Sequence, residues 1–186
     1  MYTTAFQLYN KISAYDNLVS KEEIFKAYNI SKKAHANQYR SSGEEYFTHP
    51  LAVADYLINM KLDSSTIITA LLHDVVEDSE ITLENIKEEF GDQISKLVDG
   101  VTKLSKLDIR FGFAQAENFR KLFLASSDDI RVLLVKLADR LHNIRTIEGI
   151  KNDEKKSRIC FETLEIFAPL AERLGINAIQ RELEDR

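Results

Sequence analysis

Apolar residues along this chain recur at helical spacing. Leu51, Val53, Ala54, Leu57 and Ile58 recur at the i, i+3, i+4 and i+7 separations of one helix face. Pro50 ahead of them suits a first helical turn. Ser20 with Glu23 reads as a capping box opening a helix toward His35 and Gln38. The polar, glycine-containing stretch from Arg40 to Thr48 reads as a loop. Asp63 or Ser64 is placed to cap a helix running through Asp78. Thr82 opens another that stops at Gly91, followed by a short helix from Gln93 to about Val98. Gly112 falls in a connection before an amphipathic segment from Ala114 to Leu124. Asp128 or Asp129 is placed to cap a helix carrying Ile130, Leu133, Leu134, Leu137 and Leu141. A last long helix is expected from Glu154 to about Leu174, ended by Gly175 and kinked or split by Pro169. The tail from Asn177 to Arg186 is helix-prone and charged. Six glycines and two prolines leave little turn chemistry for a β-rich fold. The expectation is one compact all-α domain without repeats or linkers.

Composition adds boundaries but no chemistry. With 186 residues and 44% hydrophobic content the chain has the means to bury a core. It holds no run of about 18 apolar residues, so no membrane span is expected. The stretch Met1–Phe6 lacks the basic flank and apolar run of a signal peptide. Cys160 is the only cysteine, which excludes an internal disulfide and suits a cytoplasmic location. Its neighbours Ile159 and Phe161 point to packing. A net charge of −5 argues against a nucleic-acid coat, while leaving room for an anionic small substrate beside a metal and a few local cations.

The chemistry concentrates in two segments. Leu71 through Asp78 puts His73, Asp74, Glu77 and Asp78 within an arc of roughly 140° on an otherwise apolar helix. Three carboxylates gathered there repel one another and lose solvation, and a divalent cation resolves both problems. Lys136 through Asn143 sets Asp139 and Asn143 one turn apart on another helix with a strongly apolar face. Spacing alone leaves open whether Asp139 or His142 reaches a metal. Taken singly, His49 before Pro50 reads as structural or exposed, and His35, between alanines, as packing or surface.

Together these segments resemble the HD-domain phosphohydrolases, and within them the hydrolase domain of RelA/SpoT homologues, which degrade the alarmones ppGpp and pppGpp. The likeness is carried by Arg40–Glu44, Tyr46–Pro50, His73–Asp78, Val98–Leu104, Val135–Asn143, Phe167–Ala171 and Arg173–Ile176. It covers roughly residues 20–186, leaving 1–19 as a helical extension and 176–186 as a helical tail of a single domain spanning 1–186. The resemblance implies one Mn²⁺ held by His49, His73, Asp74 and Asp139. It implies Glu77 and Asp78 as the catalytic pair acting on the attacking water. Arg40, Asn143 and Thr146 match positions that line the nucleotide pocket. Many relatives have Lys where Ser41 stands and Pro where Glu45 stands. The implied reaction is hydrolysis of the 3′-pyrophosphate of (p)ppGpp to GDP or GTP and pyrophosphate. Alternatives are the same architecture acting on another nucleotide, such as the 2′-phosphate of NADPH, or a nucleotide-sensing module with little turnover. The synthetase domain of long relatives is missing, so the chain reads as a stand-alone hydrolase or a fragment cut before that domain.

Overall fold

A helix that is apolar on every side has to be buried on every side, and Ser64–Leu72 is such a helix. In the computed structural model, which describes residues 3–106 and 129–186, this helix (α4) lies at the centre, with Thr66 through Leu72 all buried. Around it pack α2 (Lys21–Ala34), α3 (Thr48–Asn59), α6 (Leu83–Ser105) and α7 (Arg131–Arg145). The N-terminal α1 (Ala5–Ser13) buries Leu8 and Ile12 against α2 and α3. At the other end, α9 (Ala168–Arg173) and α10 (Asn177–Asp185) pair with each other, and α10 leans on α7. Among the described residues there is no strand, only an isolated bridge between Tyr39 and Glu45; the all-α expectation holds. The expected connection at Gly112, the segment 114–124 and the alternative cap Asp128 lie outside the described residues.

Several boundaries differ from the sequence expectation, each for a local reason. The helix capped at Asp63 does not run to Asp78. The Nδ1 of His73 bonds to the Ala70 carbonyl at 2.7 Å, the oxygen that a continuing helix would offer to Asp74 N. α4 therefore ends at Leu72, and a separate turn, α5 (Val75–Asp78), restarts with Asp74 O accepting from both Glu77 N and Asp78 N. At Gly91 the backbone is left-handed (φ 83°), so the break predicted there is real. The helix after it continues to Ser105, well past Val98, and Ser95 Oγ donates to Leu83 O across the kink. α2 ends at Ala34, with His35 as its cap.

The last long segment divides into α8 (Asp153–Glu162), a π-turn over Thr163–Phe167, and α9. Pro169 lacks the N–H that Glu165 O would receive, and its ring would press on that carbonyl in a regular helix. The wider turn, with Ala168 N reaching Thr163 O, opens the chain just before it. Cys160 packs against the core from a partly buried position.

Asp63 joins two of the central helices. It accepts from Thr66 N at 3.0 Å, capping α4, and takes Arg131 Nη1 at 2.6 Å from the start of α7. Asp129 also accepts from Arg131 N at 3.0 Å. Asp63→Ala is expected to lower unfolding free energy by about 1–2 kcal/mol, mainly as a lost cap, measured by urea denaturation at neutral pH. Burial pushes the Asp63 carboxyl up, but the Thr66 bonds and Arg131 overcome this and leave it below the ordinary value. Its contribution is thus present above the unfolded carboxylate value and disappears as pH falls through the lower folded one. The gap between wild type and variant should close in acid, and a gap that stays constant would refute the assignment.

Candidate metal centre

Three parts of the chain bring ligand-type side chains to one point. The first turn of α3 carries His49, the break between α4 and α5 carries His73 and Asp74, and the middle of α7 carries Asp139. His49, His73 and Asp139 are 2%, 0% and 5% exposed. Ligand atoms of His49, His73 and Asp74 all lie within 4.8 Å of one another. His49 Nε2 stands 3.1 Å from Asp139 Oδ1 and 3.6 Å from Asp74 Oδ2, and His73 Nε2 stands 3.1 Å from Asp74 Oδ2.

Charge in this cluster is compressed. Burial pulls the His73 imidazolium down, but Asp74 and then Asp139 more than reverse that and raise it to about 9. Burial pushes Asp74 up, and His73 overcomes it, holding the carboxylate ionised. Asp139 meets the same burial, and Lys136 and His49 hold it well below the usual range. Burial lowers His49, with Asp139 and Asp74 only partly offsetting it.

These residues fit a divalent cation on a structural test. His73 Nε2 is fully buried and makes no hydrogen bond of good geometry, although Asp74 Oδ2 stands 3.1 Å away and a second imidazole lies beside it. A buried ring nitrogen without a well-formed hydrogen bond is costly unless something binds it. Two imidazoles with two carboxylates form a mixed donor set that suits a first-row divalent ion.

Each of the four residues is also braced from behind. Ala70 O holds His73 Nδ1, and Tyr46 Oη donates to Asp74 Oδ2 at 2.9 Å. Asn143 Nδ2 donates to Asp139 Oδ1 at 2.7 Å, and Lys136 Nζ donates to Asp139 Oδ2 at 2.6 Å. His142 Nδ1 meets His49 Nδ1 at 2.8 Å. Of the two residues that spacing left open on α7, Asp139 therefore faces the cluster and His142 backs it. Burial drives His142 down to about 3, with His49 and Arg40 adding to the effect.

Glu77 lies at the exposed rim of the centre on α5. Partial burial raises its carboxyl above 4.5, the Ser105 hydroxyl pulls it back, and Asp74 raises it again. Lys136 Nζ bonds to Ser105 Oγ at 3.0 Å, so one lysine links Asp139 to the surroundings of Glu77. Asp78 lies beside Tyr46, whose phenol is held far above its ordinary value by burial and then by Asp74 and Asp78. The Asp78 carbonyl is fixed by Gln38 Nε2 at 2.8 Å.

A cleft of about 360 Å³ opens next to the centre, with Arg40, Ser41, Tyr46, Asn143, Thr146 and Lys155 in its wall. Arg40 Nη2 donates to Asn143 Oδ1 at 2.9 Å and to Thr146 Oγ1 at 3.0 Å. Asn143 thereby connects the cleft to Asp139. A larger hollow of about 710 Å³ over the outer side of α8 shares only Lys155 with the cleft and carries neither Arg40, Asn143 nor Thr146, and the smaller one is the chemically relevant cavity.

Sequence reasoning gave no role to Tyr46 or Lys136, and weighed His142 only as an alternative ligand to Asp139. Tyr46 lies in a motif already singled out, three residues before His49, and Lys136 stands one turn before Asp139. Both spacings were visible signals. His35 is buried, with Nδ1 on Gln38 Oε1 at 2.8 Å and its ring centroid 4.8 Å from that of Tyr46, so of the two expected roles, packing or surface, it takes packing.

The model of the HD domain family matches residues 27–177. The chain is 55% identical over 157 residues to a guanosine-3′,5′-bis(diphosphate) 3′-pyrophosphohydrolase of Haemophilus influenzae, covering 84% of this chain and 23% of that protein. It is 51% identical over 164 residues to the protein of the same name from Aquifex aeolicus, covering 88% of this chain and 23% of that one. It is 54% identical over 166 residues to a GTP pyrophosphokinase of Myxococcus xanthus, covering 87% and 22%. The chain thus spans about a quarter of the length of these curated relatives. A solved structure described as a metazoan ortholog of SpoT that hydrolyzes ppGpp superposes with a TM-score of 0.64 at 21% identity, covering 90% of this chain and 94% of that one. That likeness is one of fold. No helix among the described residues is long and apolar enough to cross a membrane.

Proposed function

The chain belongs to the HD domain family, and we propose that it is a Mn²⁺-dependent hydrolase releasing pyrophosphate from the 3′ position of ppGpp and pppGpp. The observation that carries this reading is the hydrogen-bonded chain from Arg40 through Asn143 to Asp139. It makes the cleft and the cluster one site, as a reaction on a bound phosphorylated nucleotide requires. The names of the relatives from Haemophilus influenzae and Aquifex aeolicus support the choice of substrate.

His49, His73, Asp74 and Asp139 would hold the ion. When bound, it would supply Lewis-acid polarisation of a phosphoryl oxygen and make a nearby water more acidic. The remaining work falls to the chain's own groups. Glu77 accepts the proton of the attacking water, and its raised carboxyl is better matched to that task than an ordinary glutamate. Asp78, beside Tyr46, provides electrostatic support for that water. Lys136 and Arg40 set positive charge on either side of the site, offsetting the carboxylates that would otherwise repel an anionic substrate. Arg40, Asn143 and Thr146 orient the nucleoside. Water adds to phosphorus, the bond to the 3′-oxygen breaks, and GDP or GTP leaves with pyrophosphate. The cytoplasm is the proposed location, in keeping with the single cysteine.

The test is incubation with ppGpp, with and without Mn²⁺, following GDP and pyrophosphate together. Metal-dependent release of both in equal amounts is expected. Binding without release would overturn the hydrolase reading in favour of a sensor, and release of phosphate from NADPH instead would redirect the substrate.

Gly149 offers a check on the cleft that leaves the ion alone. A Cβ there would stand 2.9 Å from Ser42 Cβ and 3.0 Å from Ser42 N and Cα. Gly149→Ala therefore has to push back the backbone of the turn that carries Arg40. KM for ppGpp should rise about tenfold, toward the lower end of overpacking costs, with Mn²⁺ affinity unchanged. An unaltered KM would separate that turn from substrate binding.

A further inference from the structure

We propose that His142 is a positioning residue for the metal centre, acting through His49; this rests on the metal-binding reading above. His49 turns Nε2 toward Asp139 and Asp74 and Nδ1 toward His142. A neutral imidazole carries one N–H and one lone pair. Ligation through Nε2 uses the lone pair on that side, so the proton must sit on Nδ1. The group it then meets, at 2.8 Å, is His142 Nδ1. Two N–H groups cannot face each other at that distance, so His142 presents its lone pair and keeps its own proton on Nε2. His49 thereby has both its ring orientation and its tautomer fixed from behind.

Without an ion, the opposite arrangement satisfies the same pair. His142 Nδ1 donates to His49 Nδ1, and His49 Nε2 carries the proton that bonds Asp139 Oδ1 at 3.1 Å. An imidazole serves both states because its nitrogen accepts or donates according to tautomer. The placement is also economical: Asp139 and His142 are three residues apart on α7, so one turn of a packed helix sets a ligand and the brace of another ligand. The rings are 4.9 Å apart and tilted by 47°, which directs the contact through the nitrogens and not through stacking.

The experiment measures Mn²⁺ dissociation constants on the whole chain by the electron paramagnetic resonance signal of the free ion, for wild type, His142→Ala, His142→Asn and His142→Gln. His142→Ala should bind about 10–100-fold more weakly, the usual loss for a group behind a ligand. His142→Asn should recover most of the loss, because its amide stands where Nδ1 stood; His142→Gln places its amide at the other ring nitrogen and should not. A folded His142→Ala variant with a wild-type constant overturns the proposal. If the alanine variant fails to fold, equal constants for Asn and Gln overturn it instead. A wild-type chain that binds no Mn²⁺ refutes the metal reading itself, whereas normal wild-type binding with no effect at His142 refutes this inference alone.

Discussion

Glu77→Ala is expected to lose about 10²–10⁴-fold in kcat for ppGpp, the range for removing a general base, while binding Mn²⁺ as wild type does. The separation between rate and metal follows from where Glu77 sits. His73 and Asp74 lie at the helix break with their side chains in the cluster, and α5 carries Glu77 onward to the exposed rim. Its neighbours there are Ser105 and Lys136 rather than the imidazoles. Little packing depends on it, so the variant should fold normally. The same placement sets the pH dependence. Partial burial and Asp74 raise the Glu77 carboxyl above 4.5, and a base acts only when deprotonated. The acidic limb of the wild-type rate profile should therefore lie above the ordinary glutamate value, with rate lost as pH falls through it. Full activity in Glu77→Ala, or loss of metal with loss of rate, would remove Glu77 from its proposed role.

The contrast between legible and illegible parts of this molecule has a physical basis. Helical periodicity marked α3 because its burial is written as apolar residues at fixed spacing, and the cap at Asp63 marked the start of α4. The polar cluster from His73 to Asp78 was legible as chemistry that an apolar helix does not otherwise tolerate, whereas His49 and Asp139 were assigned only by the family resemblance. What periodicity missed was the break at Leu72. It arises from a side chain, His73 Nδ1, taking the Ala70 carbonyl, and a hydrophobic pattern has no term for that competition. Of the arc drawn on one continuous helix, His73 and Asp74 lie in the buried cluster, while Glu77 and Asp78 are exposed on the separate turn that follows. Asp139 and His142 illustrate a second limit. Both face the interior from α7, and only the position of His49 on another helix tells which one points at the cluster. Pro169 was readable as a disturbance, but the form it takes, a π-turn before it, depends on how α8 and α9 are held.

Asp74→Ala is expected to abolish Mn²⁺ binding over the working range, with affinity lost by more than about 100-fold, since even groups behind a ligand cost 10–100-fold. Turnover should disappear with it. A competing outcome is that the variant unfolds, because removing one member of a buried ion pair commonly costs about 3–5 kcal/mol. The electrostatics of the site argue against that. His73 is charged near neutral pH largely because Asp74 raises it to about 9 against the pull of burial. Without Asp74 the burial effect dominates, the imidazole discharges, and no unpaired cation is left inside the fold. Asp139 is meanwhile relieved of a neighbouring carboxylate and keeps Lys136 and Asn143. Tyr46 loses its acceptor on Asp74, but Asp78 lies beside it. Urea denaturation of the metal-free variant should thus give a stability much closer to metal-free wild type than a broken pair implies. Added Mn²⁺ should raise the melting temperature of wild type and leave the variant where it is. Retained metal and rate in Asp74→Ala would dismantle the proposed centre, whereas a collapsed metal-free fold would mean that His73 stays charged and that the pair is structural first.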